Sequence, residues 1–185
     1  MNKKNQQLLL KLARDTLECS FKDEDPDTSQ CMHLTQLRGS FITLYTDKKV
    51  RGCMGFPKPI MPLYEQIIAA TKAAAFEDSR FDPLKEFELK NINIEISVLT
   101  RPELIKVNDP SDYLKIIEIG RDGLIIKSDS GSGLLLPQVA IEHNVTVEEF
   151  LRLLCKKADL NPDSWKDNKV KIYKFHAYIF SENNQ

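Results

Sequence analysis

The chain has 185 residues, of which 42% are hydrophobic, enough for one well-filled core or one domain with two lobes. With 26 basic and 27 acidic residues its formal net charge is -1, which gives no bulk reason to expect nucleic acid or an anionic membrane surface. No apolar run approaches the roughly twenty residues that span a bilayer, and the four cysteines and three histidines show none of the close spacings of a zinc or iron-sulfur site.

In chain order, Leu8 to Leu17 carries an apolar stripe at Leu9, Leu12, Ala13 and Leu17 and predicts a helix. The polar N-terminus lacks a secretory signal, so reduced thiols and a cytoplasmic location are expected. Lys22 to Thr28 is acidic and reads as an exposed loop; it lacks the ligand alternation and central glycine of a calcium loop. Phe41 to Thr46 alternates like a strand, Asp47-Lys48-Lys49 supplies a turn, and Val50 to Gly55 returns, predicting a hairpin over Phe41 to Gly55. Period-two alternation puts Arg51 and Cys53 on one face and Val50, Gly52 and Met54 on the other. Two glycines inside a strand imply a bulge or close approach by another group, a ligand included. Phe56-Pro57-Lys58-Pro59 cannot continue the ladder, because proline has no amide hydrogen.

Pro62 opens a predicted helix through about Asp78, rich in alanines that let it lie close to a sheet. Asn91 to Val98 is the cleanest strand, with Ile92, Ile94, Ile96 and Val98 on one face and Asn93, Glu95 and Ser97 on the other. Ile116 to Ile119, the turn Gly120 to Gly123, and Leu124 to Lys127 read as strand, turn, strand. Ser128 to Gly133 lacks a Walker lysine and reads as a hairpin connection. Thr146-Val-Glu-Glu149 has capping-box spacing and starts a helix that buries Val147, Phe150, Leu151, Leu154 and Ala158. Val170 to Phe180 closes the domain as a strand. The order predicts an α+β fold, a mainly antiparallel sheet with flanking helices, in two lobes with a cleft between them.

Arg51-Gly52-Cys53-Met54-Gly55 is the stretch richest in chemistry. An arginine two residues from a cysteine favours the thiolate, and Cys53 is the candidate nucleophile. It needs a base, for which His33, His143 and Glu95 are the candidates. Arg51 and Arg80 could form a fork for a small anionic ligand, with Gln138 orienting it. The competing reading makes Cys53 a small buried hydrophobe, the glycines packing devices, and the arginines ties to Asp78 or Glu95. The basic run Lys166 to Lys171 reads as a solvated face.

The same residues carry a resemblance. Val50-Arg-Gly-Cys-Met-Gly55 resembles Leu-Arg-Gly-Cys-Ile-Gly, the hallmark of the AMMECR domain family, known in prokaryotes as protein A of the AmmeMemoRadiSam system. Asp78-Ser-Arg-Phe81, Glu95-Ile-Ser-Val-Leu99, Gly120-Arg-Asp-Gly-Leu124, Gly133 to Ala140, Cys155-Lys-Lys-Ala158 and Trp165 follow in order, so the likeness runs from Gly39 to Phe180 within a single domain spanning 1–185. Val50 and Met54, Ser79 in place of proline, and Asp159 in place of the usual glycine are its departures. The resemblance implies the family fold and Memo-like and radical SAM partners in a modification pathway, and leaves the cofactor unknown. Two function classes follow: an enzyme or enzyme component using Cys53, with Arg51, Gly52, Gly55, Arg80, Glu95 and Gln138 around its ligand, or a non-catalytic adaptor using that motif as a recognition surface.

Overall fold

The structure, a computed structural model, describes residues 1–58 and 60–182; the proposed break at Pro59 lies outside them. The fold is α+β with two four-stranded antiparallel sheets. The chain divides into two compact units, one from Met1 to Leu99 with the segment from Tyr178, the other from Thr100 to Ala177.

In the first unit, helix α1 (Lys3–Ser20) starts where the Asn2 side chain accepts the Asn5 amide at 2.8 Å. It buries Leu9, Leu10, Leu12, Ala13 and Leu17. Strands β1 (Ser40–Thr46) and β2 (Lys49–Phe56) form the hairpin. Asp47 and Lys48 both take positive φ, 50° and 63°, the conformation that matches a two-residue turn to strand twist. Leu44 pairs with Gly52 but Tyr45 pairs with Val50, so Arg51 is an extra residue in a bulge. The bulge breaks the expected alternation: Gly52 is buried, whereas Val50, assigned to its face, is 41% exposed.

Helix α2 (Leu63–Phe76) stops two residues short of Asp78, its C-cap amide at Glu77 bonded to the Ala73 carbonyl. A 3-10 turn (Glu86–Asn91) then leads into β3 (Asn93–Leu99), which starts two residues later than its sequence pattern indicated. The sheet order is β2-β1-β3-β8, with β8 at Ala177–Ser181. Helices α1 and α2 cover one face, over a core that includes Ile42, Leu44, Ile67, Ile94 and Ile96.

In the second unit, β4 (Glu103–Leu104), β5 (Gly123–Lys127), β6 (Ser132–Leu135) and β7 (Lys171–Phe175) form the sheet β4-β7-β5-β6. Helices α3 (Tyr113–Ile116), α4 (Pro137–Glu142) and α5 (Val147–Lys157) belong to this unit. Its core gathers Leu124, Ile126, Ile172, Phe150, Leu151, Leu154 and Cys155.

Two sequence expectations fail here. Ile116 to Ile119 is not a strand. Pro110 and the Asp109 cap start a helical run, and Tyr113 and Ile117, four residues apart, are the buried pair. Val170 to Phe180 is not one strand either. It breaks at His176, whose amide bonds Thr100 Oγ1 at 2.8 Å while its carbonyl accepts the Thr100 amide at 2.8 Å. The His176 ring also bonds the fully buried Asp122 at 3.0 Å. β7 and β8 therefore lie in different sheets.

Candidate functional site

The face of the first sheet opposite its helices carries Cys53, Thr43 and Glu95 in one row. Cys53 pairs with Thr43 on β1, and Thr43 pairs with Glu95 on β3. Gly55, Phe41 and Ser97 form the adjacent row. Cys53 is half-buried, and its Sγ lies 3.2 Å from Thr43 Oγ1. Burial pushes the thiol pKa up; the Thr43 hydroxyl and the Arg80 charge oppose that without cancelling it.

The Cys53 peptide groups point away from β1, and two side chains meet them. Asp78 Oδ2 accepts the Cys53 amide at 2.8 Å, and Arg80 Nη2 lies 3.4 Å from the Cys53 carbonyl. Asp78 and Arg80 are joined as a fork, Nε to Oδ1 at 3.0 Å and Nη2 to Oδ2 at 2.7 Å. Asp78 is 7% exposed, and Arg80 holds its carboxyl well below the usual carboxylate range. A second fork stands beside it. Arg51 Nε and Nη2 donate to the two oxygens of Glu88 at 2.7 and 3.0 Å, and Glu88 also accepts the Lys85 amide. Arg51 and Arg80 are thus each held by a carboxylate outside the strand pattern, Glu88 and Asp78.

The two glycines are explained by backbone. A side chain at Gly52 would strike the Ala74 carbonyl of α2, and one at Gly55 would strike Ser40 and Phe41 of β1. The close approach inferred from the sequence is thus made by a helix and a neighbouring strand.

The structure brings Cys53 and Arg80 together and places Glu95 in register two strands away. Arg51 turns to Glu88. Gln138 lies in the first turn of α4, in the second unit. His33 and His143 are exposed; His33 lies 3.4 Å from Asn5, and His143 caps α4 in the second unit. The tie of Arg80 to Asp78 offered by the competing reading is present, whereas Glu88 and Thr43 were not among the candidates. Thr43 could have been found by alternation on β1; Glu88, 37 residues from Arg51, has no local signal. Among the described residues no group of three or more His, Cys, Asp or Glu side chains could hold a metal ion, and no helix is long and apolar enough to cross a membrane.

Comparison with known proteins places these features in company. The family model AMMECR1 matches residues 10–180. Protein MJ0810 of Methanocaldococcus jannaschii is 54% identical over 147 residues, covering 78% of this chain and 73% of that protein. Protein NEQ441 of Nanoarchaeum equitans is 44% identical over 178 residues, covering 94% of this chain and 98% of that one. The crystal structure of the uncharacterized protein PH0010 from Pyrococcus horikoshii superposes with a TM-score of 0.89 at 40% identity, covering 98% of this chain and 93% of that one.

Proposed function

The chain belongs to the AMMECR1 family, and from that premise we propose that it is a non-catalytic recognition component of a cytoplasmic modification pathway, acting beside Memo-like and radical SAM proteins. The Cys53–Thr43–Glu95 face is its contact surface, and Arg80, whose side chain is 59% exposed, offers the place where a small anionic group meets it.

One observation carries this reading: the charged groups nearest Cys53 already serve the fold. Asp78 is held by Arg80 and by the Cys53 amide, and Arg51 is forked onto Glu88. A nucleophilic cysteine needs a thiolate or a nearby base. Here burial raises the thiol, and Asp78, the carboxylate bonded to the Cys53 amide, is too acidic to take its proton. The enzyme reading draws on a different fact, the partial exposure of Cys53 beside a hydroxyl at 3.2 Å.

Two measurements separate them. Thiolate absorbance is titrated against pH for the wild type and Cys53→Ser, and the difference is assigned to Cys53. It should titrate above the ordinary thiol range of about 8.5; a Cys53 thiolate at neutral pH sinks the non-catalytic reading. Co-elution with the Memo-like and radical SAM proteins of the same genome is then compared among the wild type, Cys53→Ser and Thr43→Arg, each checked for folding by circular dichroism. Cys53→Ser should bind as the wild type does and Thr43→Arg should lose binding. Absence of binding by the wild type, or equal binding by Thr43→Arg, overturns the recognition role.

A further inference from the structure

The second unit holds a hollow of its own. It encloses about 310 Å³, within the range of small-molecule sites. Tyr113, Trp165 and Val170, all buried, give it an apolar wall, and Lys106, Lys166 and Lys171 line it as well. Tyr113 and Trp165 meet edge to face, their centroids 6.4 Å apart.

Two features of this hollow have no role in holding the unit together. Lys171 stands directly opposite Lys127 across β7 and β5, a like-charge pairing that destabilises a sheet. In addition, among the described residues Lys106 and Lys171 form no ion pair, whereas Lys166 is neutralised by Asp163 at 3.1 Å and lies over the Trp165 ring. The one carboxylate lining the hollow, Asp167, turns to the Lys169 amide at 2.9 Å. The surplus at this hollow is positive.

We infer that the hollow bounded by Tyr113, Trp165, Lys106 and Lys171 binds a small organic anion, its apolar ring against the aromatic wall and its acidic group between the two unpaired lysines. Such a ligand relieves the Lys127–Lys171 repulsion and covers apolar surface, the two contributions the hollow is built to supply.

Trp165 is the only tryptophan in the chain, so tryptophan fluorescence has a single source, in the wall of this hollow, and the lysine variant tests whether the bound probe lies there. The full chain is titrated with 8-anilinonaphthalene-1-sulfonate, an aromatic anion, and with neutral N-phenyl-1-naphthylamine. The sulfonate should quench Trp165 saturably at one site, and the neutral compound should bind about ten-fold more weakly. Lys106→Ala combined with Lys171→Ala, both exposed positions, should weaken the sulfonate about ten-fold and leave the neutral compound unchanged, with the melting curve as a check on folding. Probe emission without Trp165 quenching, equal affinity for the two compounds, or undiminished affinity in the lysine variant each overturns the site.

Discussion

Gly52 shows how much a single residue can decide. A methyl group there would occupy the position of the Ala74 carbonyl, and a helix backbone cannot yield as a flexible side chain would. Gly52→Ala should therefore cost about 3 kcal/mol, by displacing α2 from the sheet, and denaturant unfolding would read that as a lower midpoint at unchanged slope. A variant as stable as the wild type would mean that α2 does not approach β2 this closely. Beside it, Cys53 looks like the chemical centre of the motif, but its amide is what the neighbourhood grips: Asp78 holds it at 2.8 Å. The roles of Arg51 and Arg80 divide along the same line. Each forms a fork to a carboxylate from another part of the fold or from its own loop, Glu88 in one case and Asp78 in the other.

At the scale of elements, helix α5 displays the agreement between local signals and packing. Its capping box is complete, with Thr146 accepting the Glu149 amide and Glu149 accepting the Thr146 amide at 2.8 Å. At the other end the Leu160 amide bonds the Cys155 carbonyl and the Asp159 amide bonds the Lys156 carbonyl, the paired bonds of a Schellman ending. That ending needs a left-handed residue, and Asp159 supplies it with φ of 57°. The position is the one where the family resemblance expects glycine, so the departure carries a conformational cost here. Asp159→Gly should stabilise the protein by about 1 kcal/mol, seen as a raised melting temperature. An unchanged or lower melting temperature would show that the aspartate side chain compensates for its backbone.

For the molecule as a whole, the arginine-carboxylate forks tie stability to pH. Arg80 lowers the pKa of Asp78, and Arg51 lowers that of Glu88. A carboxyl whose folded pKa lies below its unfolded value contributes stability that is fully present above the unfolded pKa, about 4, and is lost as pH falls through the folded one. The melting temperature should accordingly fall steeply below about pH 4. Asp78→Asn should be the less stable protein at pH 7, with the gap to wild type closing as the pH drops toward 2. A gap independent of pH would remove Asp78 from the acid response. Arg14 acts at the same scale: it binds Glu182 through two nitrogens, at 2.9 and 2.6 Å, and the carbonyls of Leu89 and Ile92, joining α1, the start of β3 and the end of β8.

Sequence by itself determined the elements whose evidence is local. The α1 stripe, the Phe41–Gly55 hairpin, the isoleucine face of β3 and the Thr146 cap are short-range patterns, set by periodicity, turn chemistry and backbone bonding within a few residues. The α+β class and the family resemblance followed from their order. Only the tertiary structure decided what depends on residues distant in the chain. It put the bulge at Arg51, because strand register is set by the partner strand. It broke the last strand at His176, because Thr100 and Asp122 bind there. It gave Arg51 to Glu88 and the Cys53 amide to Asp78, since a long side chain pairs with whichever carboxylate the packing brings near. The aromatic hollow at Trp165 was equally illegible, because a concavity forms only when separate segments, here around Lys106, Tyr113 and Trp165, come to one place.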